Sequence, residues 1–113
     1  MKEFMMLFMG GDYSELSPEE VERRMQLWQV WMADLRKKDL YLNGRALQPG
    51  AKRVKGDVGD VVTDGPFVEA KELVGGYIVF KANDIKHALS LTDGYPDFDL
   101  GGEVEVREIW NIS

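Results

Sequence analysis

The residues best equipped to act on another molecule gather in one stretch, Val61–Gly76, which reads VVTDGPFVEAKELVGG. Asp64 stands on a turn fixed by Gly65 and Pro66, next to the aromatic Phe67. A carboxylate desolvated against such a ring has its pKa raised, which suits a general base. Asp64 is therefore the catalytic candidate. The same side chain can instead accept hydrogen bonds from backbone N–H groups just ahead of it and hold the turn, which is the more ordinary use. Glu69, Lys71 and Glu72 follow at once. They could position a polar substrate, although solvated charges around a helical turn are commoner. Phe67 reads as core before it reads as a ligand platform. Near the other end, Arg107 could hold a carboxylate through its forked donors or pair with Glu105. The ligand-binding candidates are thus Phe67, Glu69, Lys71 and Arg107.

Other chemistries find little support. There are no cysteines, hence no disulfides, no thiolate nucleophile and no thiolate metal site, and the redox compartment is left open. The single histidine, His87, sits off the apolar side of the second helix and reads as a surface or interface residue, so a Ser–His–Asp arrangement has no support. No Gly-x-Gly-x-x-Gly or Walker pattern offers a phosphate loop. A metal would have to be held by carboxylates alone, and no spaced cluster suggests one. No cofactor is expected. The six methionines sit mostly on the first strand and first helix, where core filling explains them.

A chain of 113 residues fits one domain, 1–113, with one modest core. Its net charge of −6, with no basic run, argues against nucleic acid and against an anionic membrane surface. No stretch approaches the ~20 apolar residues that cross a bilayer. The opening residues lack a basic n-region and a small-residue cleavage site. A cytoplasmic location is expected.

The elements that must position these residues follow from pattern. Phe4–Met9 is apolar throughout, the mark of a central strand buried on both faces. Ser17-Pro18-Glu19-Glu20 starts a helix, with Ser17 as cap, Pro18 at the first turn and Leu16 and Val21 as a staple. Its apolar stripe reads Val21, Met25, Trp28, Met32 and Leu35, and Arg36-Lys37-Lys38 suits its C-terminus. Leu27, Val30 and Trp31 form a second flank, with Trp31 read either as contact surface or as lying flat on the exterior. Leu40-Tyr41-Leu42 begins a strand, and Asn43-Gly44 signals a turn or bulge. Residues 52–55 and 58–63 form the arms of a hairpin, whose basic Lys52, Arg53 and Lys55 read as edge protection.

Gly75-Gly76 opens another central strand, Tyr77–Phe80, the glycines allowing close approach by a neighbouring strand or a ligand. Asn83 or Asp84 caps a short helix with Ile85, Ala88 and Leu89 inward, and residues 95–102 form a loop. Glu103–Trp110 alternates, with Val104 and Val106 on one face and Glu105 and Arg107 on the other. The order is that of an α+β, ferredoxin-like βαββαβ fold with an inserted β-hairpin.

Two helices cover one face of such a sheet. Phe4, Met6 and Phe8 point one way, and Met5, Leu7 and Met9 the other. The uncovered set calls for a partner, and an isologous homodimer with sheets packed face to face is the simplest. The competing reading is a monomer whose hairpin folds over the sheet.

At Asp64-Gly65-Pro66-Phe67 the chain resembles the YCII-related family, in its DGPF-domain branch. Leu47-Gln48-Pro49, Val62-Thr63, Glu69-Ala70-Lys71-Glu72, Gly75-Gly76-Tyr77 and Val104-Glu105-Val106-Arg107 extend the likeness over most of the sequence. The resemblance implies a dimeric α+β barrel. Families on this architecture include small-molecule isomerases, lyases and cofactor-free oxygenases, and DGPF-branch proteins are often associated with extracytoplasmic-function sigma factors. It supplies no reaction. YCII-type proteins suggest a His–Asp active site, and with His87 as its sole histidine this chain departs from that pattern. Two functions are therefore expected to compete: a small-molecule, enzyme-like site near Asp64, and a non-catalytic interaction or sensing module beside a transcription factor.

Overall fold

The computed structural model describes residues 1–54, 56, 61–64 and 74–112, with the side chains of 61–64 excepted. Along the chain these form β1 (Lys2–Met9), α1 (Pro18–Lys37), β2 (Tyr41–Ala46), β3 (Lys52–Val54), β4 (Val61–Asp64), β5 (Val74–Ala82), α2 (Ile85–Ser90) and β6 (Glu103–Glu108). A single 3-10 turn, Phe98–Leu100, precedes β6. The main sheet runs β2-β5-β1-β6 with neighbours antiparallel, the ferredoxin-like order in which the apolar β1 and β5 occupy the centre. The hairpin β3-β4 forms its own two-stranded sheet, with Lys52 opposite Asp64.

Register decides which side chains share a face. Phe4 pairs with Phe80, Met6 with Ile78 and Phe8 with Gly76, and these positions look toward the helices. Phe4, Met6, Phe80 and Leu35 are the largest fully buried side chains, with the Phe4 and Phe80 rings stacked 5.9 Å apart. Met5 and Val79, Leu7 and Tyr77, and Met9 alternate onto the opposite face, where each stays half-buried. No described element covers that face.

Local chemistry sets the helix ends. Ser17 Oγ accepts the Glu20 N–H at 3.2 Å, and its hydroxyl donates to Glu20 Oε1 at 3.2 Å, closing the first turn of α1. At the other end Asp39 N–H donates to Arg36 O and Leu40 N–H to Leu35 O, a Schellman closure in which buried Leu35 and Leu40 make the hydrophobic contact. The left-handed position it needs is filled by Asp39, at φ 60°, where glycine is the usual occupant.

Two helix faces differ from expectation. The inward face of α1 is Trp28, Trp31 and Leu35, with Arg24 half-buried at its start, while Met25 is 44% exposed. Trp31 is thus core and not an exterior flank. The indoles decide this, because each buries a large area and each N–H needs an acceptor. The Trp31 Nε1–H finds the Asp93 carbonyl at 3.1 Å. On α2, Ala88 is buried, but Ile85 and Leu89 are exposed at 48% and 52%. The helix has only six residues, and Leu91, just past its end, takes the core position instead. Asp84 is its cap, accepting the His87 N–H at 2.8 Å. The His87 Nδ1 in turn accepts the N–H of Asn83, the residue before the cap, at 3.0 Å, so this histidine helps to close the helix start.

Candidate functional site

Where β2 and β5 run beside each other, the positions facing α1 carry Gly44, Ala46 and Gly76 in place of large side chains. A Cβ on Gly44 would stand 2.6 Å from the Tyr77 carbonyl oxygen, and one on Gly76 2.9 Å from that of Arg45. The two strands therefore approach as only glycine allows, and no described side chain fills the space above them. The result is a cavity of about 470 Å³, roofed by Met25, Trp28 and Met32 of α1. Its inner wall is aromatic. Phe8 meets Trp28 edge-on at 5.0 Å and stacks on Tyr95 at 5.2 Å, and Trp28 meets Tyr95 edge-on at 5.1 Å.

At the β1–β6 end of this wall lies Asp97, only 6% exposed. The Tyr13 hydroxyl donates to both of its oxygens, at 2.9 and 2.8 Å, and the Trp28 indole N–H donates to Oδ2 at 3.2 Å. Its backbone carbonyl accepts from Leu100 and Gly102 N–H groups, which folds the loop tightly around it. Gly10 and Gly11, both at positive φ, let the chain leave β1 and bring Tyr13 to this point. Arg24 Nη1 lies 3.5 Å from Asp97 Oδ1, but its main bonds go elsewhere. It grips Asp99 with both Nη atoms, at 2.9 and 2.6 Å, and also donates to the Pro96 carbonyl.

Burial, and then the Asp97 hydrogen bond and charge, push the Tyr13 phenol up to about 12. Burial and the charge of Asp97 push the Tyr95 phenol up as well. The bond to Asp99 holds the Arg24 guanidinium more firmly protonated than usual, and the same bond lowers the Asp99 carboxyl. At neutral pH, then, Tyr13 is a hydrogen-bond donor and not a base.

The residues singled out from sequence fall differently. Asp64 ends β4, where its backbone pairs with Lys52, but its side chain lies outside the described residues, as do Phe67, Glu69, Lys71 and Glu72 entirely. Arg107 is described. It is exposed, 3.9 Å from Glu105, and sits opposite Met5 on the face turned away from the cavity. Of the glycine pair, Gly76 makes the close approach to a neighbouring strand, while Gly75 is open to solvent. The loop at 95–102, passed over as connection, supplies Tyr95, Asp97 and Asp99. One signal could have found it: a tryptophan on the inner face of a helix needs an N–H acceptor, and the Tyr-Pro-Asp-Phe-Asp run offers one, which Trp28 takes.

Among the described residues no group of three or more histidines or carboxylates gathers as a metal site. No described helix is long and apolar enough to cross a membrane. Against curated proteins the sequence finds no significant match. The YCII-related domain family, however, matches residues 4–113, nearly the whole chain, and the α+β fold agrees with that match: this protein belongs to the YCII-related domain family.

Proposed function

We propose that this YCII-related domain protein is a homodimer that binds a small organic molecule in the cavity beneath α1. The observation that carries the reading is the pairing of Gly44 and Gly76 under an aromatic wall that ends in a buried carboxylate. Small-molecule sites combine this size, an apolar lining and a few converging polar groups. A fragment screen followed by NMR tests it. Bound fragments should move the Gly44 and Gly76 amides and the Trp28 indole N–H, and Met25→Trp should abolish the effect by filling the roof. Fragments that shift only other residues would contradict it.

The homodimer follows from the bare face of the sheet. Met5, Leu7, Met9 and Val79 lie there half-buried, and fully covering such side chains is worth up to roughly 1.5–3 kcal/mol each. The rims are complementary. Glu103 and Glu105 line the β6 edge, and Arg45 the β2 edge. A two-fold axis parallel to the strands places the β6 edge of one copy over the β2 edge of the other. In such a barrel Arg107 would face the space between the sheets and serve as an anion holder. Asp64 remains the proposed base or anchor. Asp64→Asn should lower turnover or affinity for an identified ligand at least tenfold, and unchanged behaviour with an intact fold would remove it from the site.

A second reading, a non-catalytic module acting beside an extracytoplasmic-function sigma factor, is favoured by one observation. Leu27 and Val30, on the outer side of α1, are 49% and 69% exposed. With Trp31 in the core, this flank holds no aromatic anchor, which weakens it as a contact surface. Co-purification with the sigma factor, lost in Val30→Glu, would support this reading. Co-purification unchanged by Val30→Glu would exclude this flank.

A further inference from the structure

The charges around the cavity are unevenly placed, and that imbalance names a ligand class. Asp97 is buried, and among the described residues the cation paired with it, Arg24, makes its short bonds to Asp99. Two carboxylates thus share one guanidinium, leaving one negative charge in excess. Asp99 is largely exposed and met by water, while Asp97, on the cavity wall, keeps only a long 3.5 Å contact to Arg24 beside the neutral Tyr13 hydroxyl and Trp28 indole. A charge held away from water is normally matched by an opposite one.

The cations on the far side do not supply the match. Arg45 lies on β2 opposite Tyr77, a position of the face turned away from the helices, and it is exposed and bonded to the Gly44 carbonyl. Arg36 is exposed and rests on the Tyr41 ring, 4.6 Å from its centroid. Both are wet, so their fields are screened, whereas the field of Asp97 is not. Beside Asp97 the lining is Phe8, Trp28 and Tyr95, rings of the kind that hold an organic cation through their negative faces.

We infer that the cavity takes an organic cation, an amine or methylated ammonium, with its charge toward Asp97 and its apolar body under Met25 and Met32. The inference rests on the small-molecule reading of the same cavity. The probes that test it are benzyltrimethylammonium, its neutral carbon isostere neopentylbenzene, and the anion 3-phenylpropionate, each titrated into the full chain while the Trp28 indole N–H is followed by NMR. The cation should bind at least tenfold more tightly than the neutral isostere, and the anion more weakly than either. Asp97→Asn should erase the preference. Because Asp97 also holds its loop, a second variant avoids that dependence. Gln29→Lys, at an exposed position on the cavity rim, should weaken the cation tenfold or more and leave neopentylbenzene within about twofold, while Gln29→Met weakens neither. Equal or tighter binding of the isostere or the anion would overturn the cation assignment and leave the cavity standing. Binding of none of the three would overturn both.

Discussion

The two faces of one sheet are built from the same strands and end in opposite states. Toward the helices, Phe4, Met6, Ile78 and Phe80 are sealed, and the packing opens where Gly44 and Gly76 remove side chains. Away from the helices, Met5, Leu7, Met9 and Val79 are equally apolar and only half-buried. Hydrophobicity alone does not distinguish the faces. What differs is cover: α1 and α2 supply it on one side, and no described element does on the other. One face therefore makes its pocket within the chain, and for the other we propose completion by a second copy.

The largest expected effect sharpens that contrast. Phe80→Ala, on the sealed face, should destabilise the fold by about 3–5 kcal/mol, because the cavity it leaves cannot collapse. Val79→Ala, one residue along and on the bare face, should cost under about 1.5 kcal/mol in chemical denaturation at low protein concentration. Similar losses at both sites would erase the distinction.

Next is the Asp97 hub. Asp97→Asn keeps the shape but removes the charge that the Tyr13 hydroxyl, Trp28 indole and Arg24 converge on. A loss of about 2–3 kcal/mol is expected in urea titration, along with greater mobility of the 95–102 loop.

The pH dependence at the same hub has a definite sign. Tyr13 keeps its proton up to about 12 in the folded chain, whereas in the unfolded chain it loses it near 10. Its contribution is complete below pH 10 and declines as pH rises from 10 toward 12. Tyr13→Phe should therefore be less stable than the native chain at pH 8, and the gap should narrow between pH 10 and 12 in thermal melts.

The smallest change is a gain. Asp39 occupies a left-handed position at the end of α1, so Asp39→Gly should stabilise the protein by about 1 kcal/mol without touching either face.

The fold was legible in the sequence because it is encoded locally. Uninterrupted apolar runs marked β1 and β5 as central, Ser17-Pro18 marked the start of α1, and the alternation at 103–108 marked an edge. The site was legible only in part. Gly44 and Gly76 showed as irregularities in strands, but their meeting across β2 and β5 depends on register, which sequence spacing does not carry. Of the expected stripe of α1 only Met25 is exposed, and the inward face widens to Trp31, because Trp28 and Trp31 find hydrogen-bond acceptors 69 and 62 residues further along the chain. Acceptors at that separation leave no periodic trace. Asp97, in a loop, gave no pattern until its donors were known.

The mass of the protein in solution tests the central contrast most directly. Sedimentation equilibrium of the native chain, of 12.9 kDa, should return twice that mass at micromolar concentration. Leu7→Glu, on the bare face, should return a single folded copy, while Leu27→Glu, on the outside of α1, should leave the double mass intact. A native protein that sediments as one copy, with Leu7→Glu indistinguishable from it, would contradict the account.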